Sequence, residues 1–421
     1  MLAGRRVVLG VSGGIASYKA CAIARRLTED GAAVDVVMTA SAAEFIGPVT
    51  FEALTGRPVV TSLWDRGRAL DHVRLGREAD LIIVAPATAQ LIARMAQGLA
   101  DDFLSTLLVA RRAPVLLCPA MNDAMWAHDA TQANTALILR RGNDGADDAG
   151  RVHVLGPDTG PLARGEGEGP GRMVEPEVIL EHAARLLRKG PLAGRAVVVT
   201  AGPTREPIDP VRVLTNRSSG RMGYALARAA WLAGADVTLI TGPTTLIPPV
   251  GCTVRRIETT EDLQAAVSAV LPAADVLLMA AAPADYRPSS AGATKMVREA
   301  GPVKITLEPT ADVLGSTAYW RKGGALMVGF ALETGDPVPR AQEKMLKKQL
   351  DMIIANDATE PGAGPDVTTN RVTIISRGKT EALPLLSKDE VAERIIAKVA
   401  EEMSRRPEPQ VVGAGLPRIP E

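Results

Sequence analysis

"RRVVLGVSGGIASYKACAIARRLTEDGAAVDVVMT", residues 5–39, reads as a buried strand, a glycine turn, an amphipathic helix and a second strand. "GRAVVVTAGPTREPIDPVRVLTNRSSGRMGYALARAAWLAGADVTLITG", residues 194–242, repeats that scheme about 190 residues later, with a longer loop after its first strand. The echo continues in "EADLIIVAPATA" (78–89), "AADVLLMAAAPA" (273–284) and "QLDMIIANDA" (349–358). Each has a polar lead, an apolar run and then small residues, as expected of a parallel strand that ends at a functional edge. The alternation predicts an α/β fold of two tandem doubly wound, Rossmann-like domains, each three layers deep around a mostly parallel sheet. Ligands bind such sheets beyond the carboxyl ends of the strands, so functional residues are expected just after these runs.

A chain of 421 residues exceeds one ordinary domain. Domains are expected over 1–190 and 191–403, joined after a helix around Glu177 to Lys189 and the turn "GPLAG". The proline-rich tail, 404–421, is expected to be disordered, and "GNDGADDAG" (142–150) reads as an acidic surface insertion. Lys plus Arg equals Asp plus Glu at 48 each, so no global charge points to nucleic acid or a membrane. Cys21, Cys118 and Cys252 are scattered and suggest neither a disulfide framework nor a CxxC site. The four histidines form no HExxH motif, so a zinc site built by the protein is not expected. The opening apolar run is too short and too broken by glycine for a signal peptide, and no apolar run reaches about 18 residues. A cytoplasmic location is expected.

Ser12, Gly13 and Gly14 follow the first strand and open a helix, a turn that offers backbone N–H groups to a phosphate. Thr39 and Ser41 after the second strand can add hydroxyls, or Thr39 can simply cap a helix. The turn is not GxGxxG and reads equally as a mononucleotide or flavin phosphate site or as a plain tight turn. "GPLARGEGEGPGRM" (160–173) has five glycines. It resists both helix and strand, which predicts a flexible lid or binding loop.

"SGGIASYK" (12–19), "DHVRL" (71–75), "APATAQLIARMAQGLADDFLSTLL" (85–108) and "PAMNDAMW" (119–126) resemble the flavin-dependent cysteine decarboxylases that act on 4'-phosphopantothenoylcysteine. "AGPTREPIDPVRVLTNRSSGRMG" (201–223) resembles the phosphopantothenate–cysteine ligase fused to that decarboxylase in many bacteria. The similarity spans roughly residues 5 to 403. For the first half it implies FMN as an electron sink: oxidation of the cysteinyl thiol to a thioaldehyde labilises the adjacent carboxylate, and return of hydride and proton gives 4'-phosphopantetheine. It implies FMN contacts at Ser12, Gly13, Gly14, Thr39, Ser41, Pro86, Thr88, Ser105 and Thr106. His72 would lie beside flavin and substrate, handling protons near neutral pH, although a lone His in a loop before a strand is otherwise structural. Asn122 would hold the departing carboxylate, with Met121 beside the substrate; the alternative for Asn122 is a helix cap. Ser105 and Thr106 otherwise read as ordinary helix residues. The family's flap carries a Cys in an "ACG" triplet as final proton donor. Here the triplet is Ala163-Arg164-Gly165, and an arginine stays charged, so Arg164 attracts the substrate phosphate or carboxylate instead of donating a proton. Gln90 stands where the family has Asn, and Cys118 reads as a buried structural thiol.

For the second half the resemblance implies activation of the 4'-phosphopantothenate carboxylate by CTP as an acyl-CMP, then displacement of CMP by cysteine. Mg2+ would offset the triphosphate charge, held mainly by phosphates, with any protein ligands unknown. Asn216 and Arg212 would bind the activated acyl group, and Lys295 is the matching essential lysine. Ser218, Ser219 and Gly220 suit a phosphate at a helix start. Met279, Ala280, Ala281, Asp285, Ala311, Asp312, Val313, Leu314 and Phe330 would surround the nucleotide. Lys344 and Lys348, one helical turn apart, can reach the triphosphate together, or form a solvated face. A dodecamer of trimeric decarboxylase and dimeric ligase units is implied. Rival readings are a ligase fused to a flavin-binding scaffold with impaired decarboxylation or a regulatory binding role, and a tandem NAD-dependent oxidoreductase.

Overall fold

The first strand, β1 (Arg6–Val11), is central in its sheet and buried from Val7 onward because both faces of that sheet are covered. The computed structural model describes residues 2–64, 70–143, 151–188, 190–297, 303–317, 321, 324–364 and 366–406. The chain divides into two compact units, Met1–Arg188 and Lys189–Glu421. The acidic stretch 144–150 and the tail from residue 407 lie outside the described residues.

In the first unit, β1 is joined by β2 (Ala33–Met38), β3 (Leu81–Ala87), β4 (Val115–Pro119) and β5 (Val152–Val154). All are parallel, in the order β2-β1-β3-β4-β5. Val8, Ile82, Val84, Val115 and Leu117 face one layer and pack with Leu91, Ile92, Phe103 and Leu104 of its helices. The alternating residues Val7, Leu9, Leu81, Ile83 and Leu116 are buried as well. Burial on both faces explains the unbroken apolar runs, and each large side chain so buried contributes about 1.5–3 kcal/mol.

Three local expectations change. The glycine-rich stretch contains strand structure: β6 (Asp158–Pro161) and β7 (Glu168–Arg172) form an antiparallel hairpin that pairs Gly160 with Gly169. Its ladder is made by the backbone alone, and Gly165 and Gly167 supply positive φ of 90° and 78° in the turn. His72 lies in the first turn of helix Asp71–Glu78, not in a loop, where Asp71 pairs with Arg74 at 3.1 Å. The helix at the join runs Pro176–Leu186, with proline in its first turn.

The second unit is built on β8 (Ala196–Ala201), with the small strands β9 (Arg205–Pro207) and β10 (Val213–Thr215) following it. Then come β11 (Asp236–Thr241), β12 (Thr253–Arg256), β13 (Val276–Met279), β14 (Tyr286–Pro288), β15 (Leu307–Pro309), β16 (Leu326–Glu333) and β17 (Met352–Asp357). The two-residue β18 (Thr369–Asn370) precedes β19 (Thr373–Ser376) and β20 (Lys379–Ala382). The main sheet runs β12-β11-β8-β13-β16-β17-β19-β20, parallel through β17 and antiparallel beyond it.

Strand order reverses between β1 and β3 in one sheet and between β8 and β13 in the other. Ligand crevices of open α/β sheets open at such points. In both, a hydroxyl at the end of the central strand holds the backbone that leaves its neighbour. Ser12 Oγ donates to Pro86 O at 2.8 Å and accepts the Thr88 N–H at 3.0 Å. Thr200 Oγ1 accepts the Ala281 N–H at 3.0 Å. Replacing Ser12 with Ala is expected to cost about 1–3 kcal/mol. In denaturant this should lower the midpoint of the first unit's transition without changing its slope; an unmoved midpoint would mean that the tie contributes nothing.

Candidate active sites

The turn between β1 and helix Ser17–Glu29 leaves the N–H groups of Gly13, Gly14 and Ile15 without a hydrogen-bond acceptor among the described residues. Such groups at a helix start suit an anion. A Cβ at Gly13 would lie 2.4 Å from Ser41 Cβ, so only glycine allows this approach. These residues line a cavity of about 370 Å³ together with Thr88 after β3, Met121 and Asn122 after β4, and Leu162, Ala163 and Glu166 of the hairpin. The hairpin is docked there: the Met121 N–H donates to Gly171 O at 3.0 Å, and a Cβ at Gly171 would lie 2.2 Å from Met121 O. A phosphate cradle, apolar walls and a covering hairpin fit a flavin mononucleotide with its substrate.

Asn122 both caps and remains available. Its Oδ1 accepts the Ala124 N–H at 2.9 Å, which leaves the amide N–H donors for a carboxylate. Thr39 is an N-cap, accepting from the Ala42 N–H at 3.2 Å. The Ser12 hydroxyl is spent on Pro86 and Thr88, so it shapes the turn. Ser105 is buried in a capping box with Asp102, and Thr106 Oγ1 donates to Asp102 O at 2.7 Å. Neither lines the cavity, nor does His72, whose ring stands edge-on to Phe103 at 6.2 Å. Arg164 is exposed on the hairpin, outside the lining. Cys118 is fully buried at the end of β4 and outside the cavity lining, and burial pushes its thiol above the ordinary range, as expected of a structural thiol.

Sequence reasoning missed Lys19, Glu166 and Arg172, all of which line this cavity. Lys19 Nζ donates to Met173 O at 3.1 Å and pairs with Glu175 at 3.0 Å; Glu175 also meets Arg172. The Lys19 ammonium beside Glu175 holds its carboxyl below the usual range against the opposing effect of burial. The only signal was that both cations sit inside the quoted glycine motifs.

The second cavity, about 360 Å³, opens beyond β13 and β16 and is lined by Met279, Ala281, Asp285, Ala311, Asp312, Val313, Leu314, Phe330, Lys344 and Lys348. Lys344 Nζ donates to Phe330 O at 2.8 Å, and Lys348 pairs with Asp312. Burial lowers the Lys344 pKa, opposed by Glu333 and Asp285. Pro283, Ala284 and Thr310 complete the wall without having been foreseen. Asn216 Nδ2 donates to Pro283 O at 2.8 Å, which fixes it beside that wall. Gly220 caps helix Arg221–Leu232 with φ 76°, and Ser218 Oγ accepts its N–H at 3.3 Å. Arg212 pairs with Asp209 at 2.5 Å, and Lys295 is exposed. Ser219, Ala280, Arg212, Asn216 and Lys295 are not among the residues lining this cavity. Among the described residues no three His, Cys, Asp or Glu side chains gather to hold a metal, and no helix is long and apolar enough to cross a membrane.

Comparison with known proteins gives these cavities a context. Residues 1–188 match the family described as Flavoprotein, and residues 192–403 match the DNA/pantothenate metabolism flavoprotein C-terminal domain. A Coenzyme A biosynthesis bifunctional protein CoaBC from Vibrio cholerae is 42% identical over 406 residues, covering 96% of this chain and 99% of the relative. Proteins of the same name from Mycobacterium bovis and Mycolicibacterium smegmatis are 45% and 44% identical over 409 and 417 residues. These alignments cover 93% and 95% of this chain and 95% and 98% of the relatives. The chain belongs to the family of bifunctional coenzyme A biosynthesis proteins.

Proposed function

We propose that the cavity of the second unit joins cysteine to 4'-phosphopantothenate at the expense of CTP, and that the cavity of the first decarboxylates the resulting 4'-phosphopantothenoylcysteine to 4'-phosphopantetheine. The observation that carries this reading is Asn122, whose amide N–H donors stay unspent inside a covered cavity beside a phosphate cradle. FMN supplies the electron sink that makes carboxylate loss possible. Gly13 and Gly14 bind its phosphate through their N–H groups, and Asn122 holds the substrate carboxylate. The hairpin excludes water, and Arg164 at its tip draws in the substrate's negative groups. Arg164 keeps its proton, so the last proton comes from another group or from water.

In the ligase half, Lys344 and Lys348 take the triphosphate, Phe330 lies against the base, and Asp285 contacts the nucleoside. Arg212, Asn216 and Lys295 stabilise the acyl group as cysteine attacks. Mg2+ would offset the triphosphate charge and would be held mainly by the phosphates. Division of labour near residue 190, a homo-oligomer and a cytoplasmic location belong to the same reading. Ile15, Tyr18 and Met125, all on the cavity rim, are 67%, 58% and 49% exposed, which supports a covering subunit.

Mass spectrometry of the product formed from 4'-phosphopantothenoylcysteine by the purified flavoprotein tests the first half. The expected product is saturated 4'-phosphopantetheine, and Arg164→Ala should raise KM about tenfold while yielding the same product. A product lacking two hydrogens would show that this hairpin does not complete the reduction, and no loss of CO2 would refute the assignment. For the ligase, Lys344 binds phosphate only while protonated, and its pKa is lowered. CTP affinity should therefore fall with rising pH before the usual lysine range is reached, and Lys344→Arg should remove that fall. Identical pH profiles for both proteins would exclude Lys344 from the phosphate site.

A further inference from the structure

We propose that Asp209 is a positioning residue of the ligase site, holding Arg212 and the strap that carries Lys295 in one arrangement. This rests on the roles given above to those two cations. The turn Ile208–Arg212 closes through the Ile208 N–H to Arg212 O at 2.9 Å. Asp209 lies beneath it with a side chain 1% exposed, and its two oxygens receive four donors. Oδ1 accepts the N–H groups of Val211 and Arg212, both at 2.8 Å. Oδ2 accepts Arg212 Nη1 at 2.5 Å and the Met296 N–H at 3.1 Å. Arg212 Nη1 also donates to Met296 O at 3.1 Å, and the Gly292 N–H donates to Ile208 O at 2.9 Å.

The strap that carries Lys295 is thus stapled to this turn on both sides, although 83 residues separate Arg212 from Lys295 (295 minus 212). The consequence for Arg212 is specific. One guanidinium nitrogen is committed inward, while Nε and Nη2 have no partner among the described residues and the side chain is 43% exposed. Those donors can meet an anionic acyl phosphate without reorganising. Burial raises the Asp209 pKa, but the N–H groups of Val211, Met296 and Arg212 and the Arg212 guanidinium outweigh it and hold the carboxyl well below the usual carboxylate range. The staple is therefore charged at neutral pH. Asp209 is the described side chain that bonds both to Arg212 and to the backbone of the strap, beside the direct Arg212–Met296 and Gly292–Ile208 bonds.

The test uses the full chain and compares D209N, R212Q, K295Q, M296P and the pairs D209N/R212Q and K295Q/M296P. Ligation is followed by pyrophosphate release, and CTP affinity by equilibrium binding. D209N should slow ligation by about tenfold to a hundredfold while CTP affinity stays within about twofold. D209N/R212Q should be no slower than the slower single variant, because Asp209 acts through Arg212. Met296→Pro removes one N–H from the staple and leaves the Asp209–Arg212 pair, so it tests the strap even if D209N does not fold. It should slow ligation without adding to K295Q. Full ligation by D209N or M296P, multiplicative losses in the pairs, or loss of CTP binding in parallel with rate would overturn the positioning role. If R212Q and K295Q themselves ligate normally, the underlying assignment fails with it. If only those two are impaired, this inference alone fails.

Discussion

A hydroxyl buried at the end of a central parallel strand cannot be left idle, and in each unit it is used to hold the backbone of the neighbouring strand's exit. Ser12 receives the Thr88 N–H and gives its hydrogen to Pro86 O. Thr200 receives the Ala281 N–H, and Thr204 receives that of Ala284. Without these bonds the chain leaving β3 or β13 would have unpaired amides at the place where the strand order reverses. With them, the two crevices have fixed walls: Gly13 and Gly14 opposite Thr88, and the Ala281–Asp285 turn beside Phe330. The same device recurs around Glu206, a buried carboxylate that accepts both the N–H and the hydroxyl of Thr260 at 2.9 and 2.7 Å.

Rigid walls leave closure to other elements. The hairpin over the first cavity is joined to the wall by backbone bonds at Gly171 and by the Lys19–Glu175–Arg172 cluster at its base, while its tip around Arg164 is exposed. The second site has the corresponding division. Phe330 and Lys344 belong to packed elements, whereas Lys295 rides on a strap held by the buried Asp209 carboxylate, by Arg212 and by the Gly292–Ile208 backbone bond. In both units the cavity walls are built on the sheet edge, while Arg164 and Lys295 are exposed on segments tethered to it.

The alternating elements were legible because strands buried on both faces write continuous apolar runs, as β1, β3, β8 and β13 do. The glycine turns after them were legible because a missing Cβ is a visible constraint: Gly13 has no room for one beside Ser41. The hairpin was not, since its ladder is carried by the backbone and its glycines look like a loop. Lys19 and Glu175 were also invisible, being brought together across 156 positions of chain. His72 is instructive in another way, because Asp71 and Arg74 were a readable first-turn pair, yet the lone His was expected in a loop. Asn122 shows that capping need not exhaust a side chain, since the cap uses the oxygen of its amide and leaves the nitrogen.

The central claim is that one chain performs ligation and decarboxylation in succession. The direct measurement is mass spectrometry of a single reaction containing the flavin-loaded protein, 4'-phosphopantothenate, cysteine, CTP and Mg2+. The account predicts 4'-phosphopantetheine as the product that accumulates, with 4'-phosphopantothenoylcysteine appearing first and declining. Accumulation of 4'-phosphopantothenoylcysteine without any release of CO2 would contradict it.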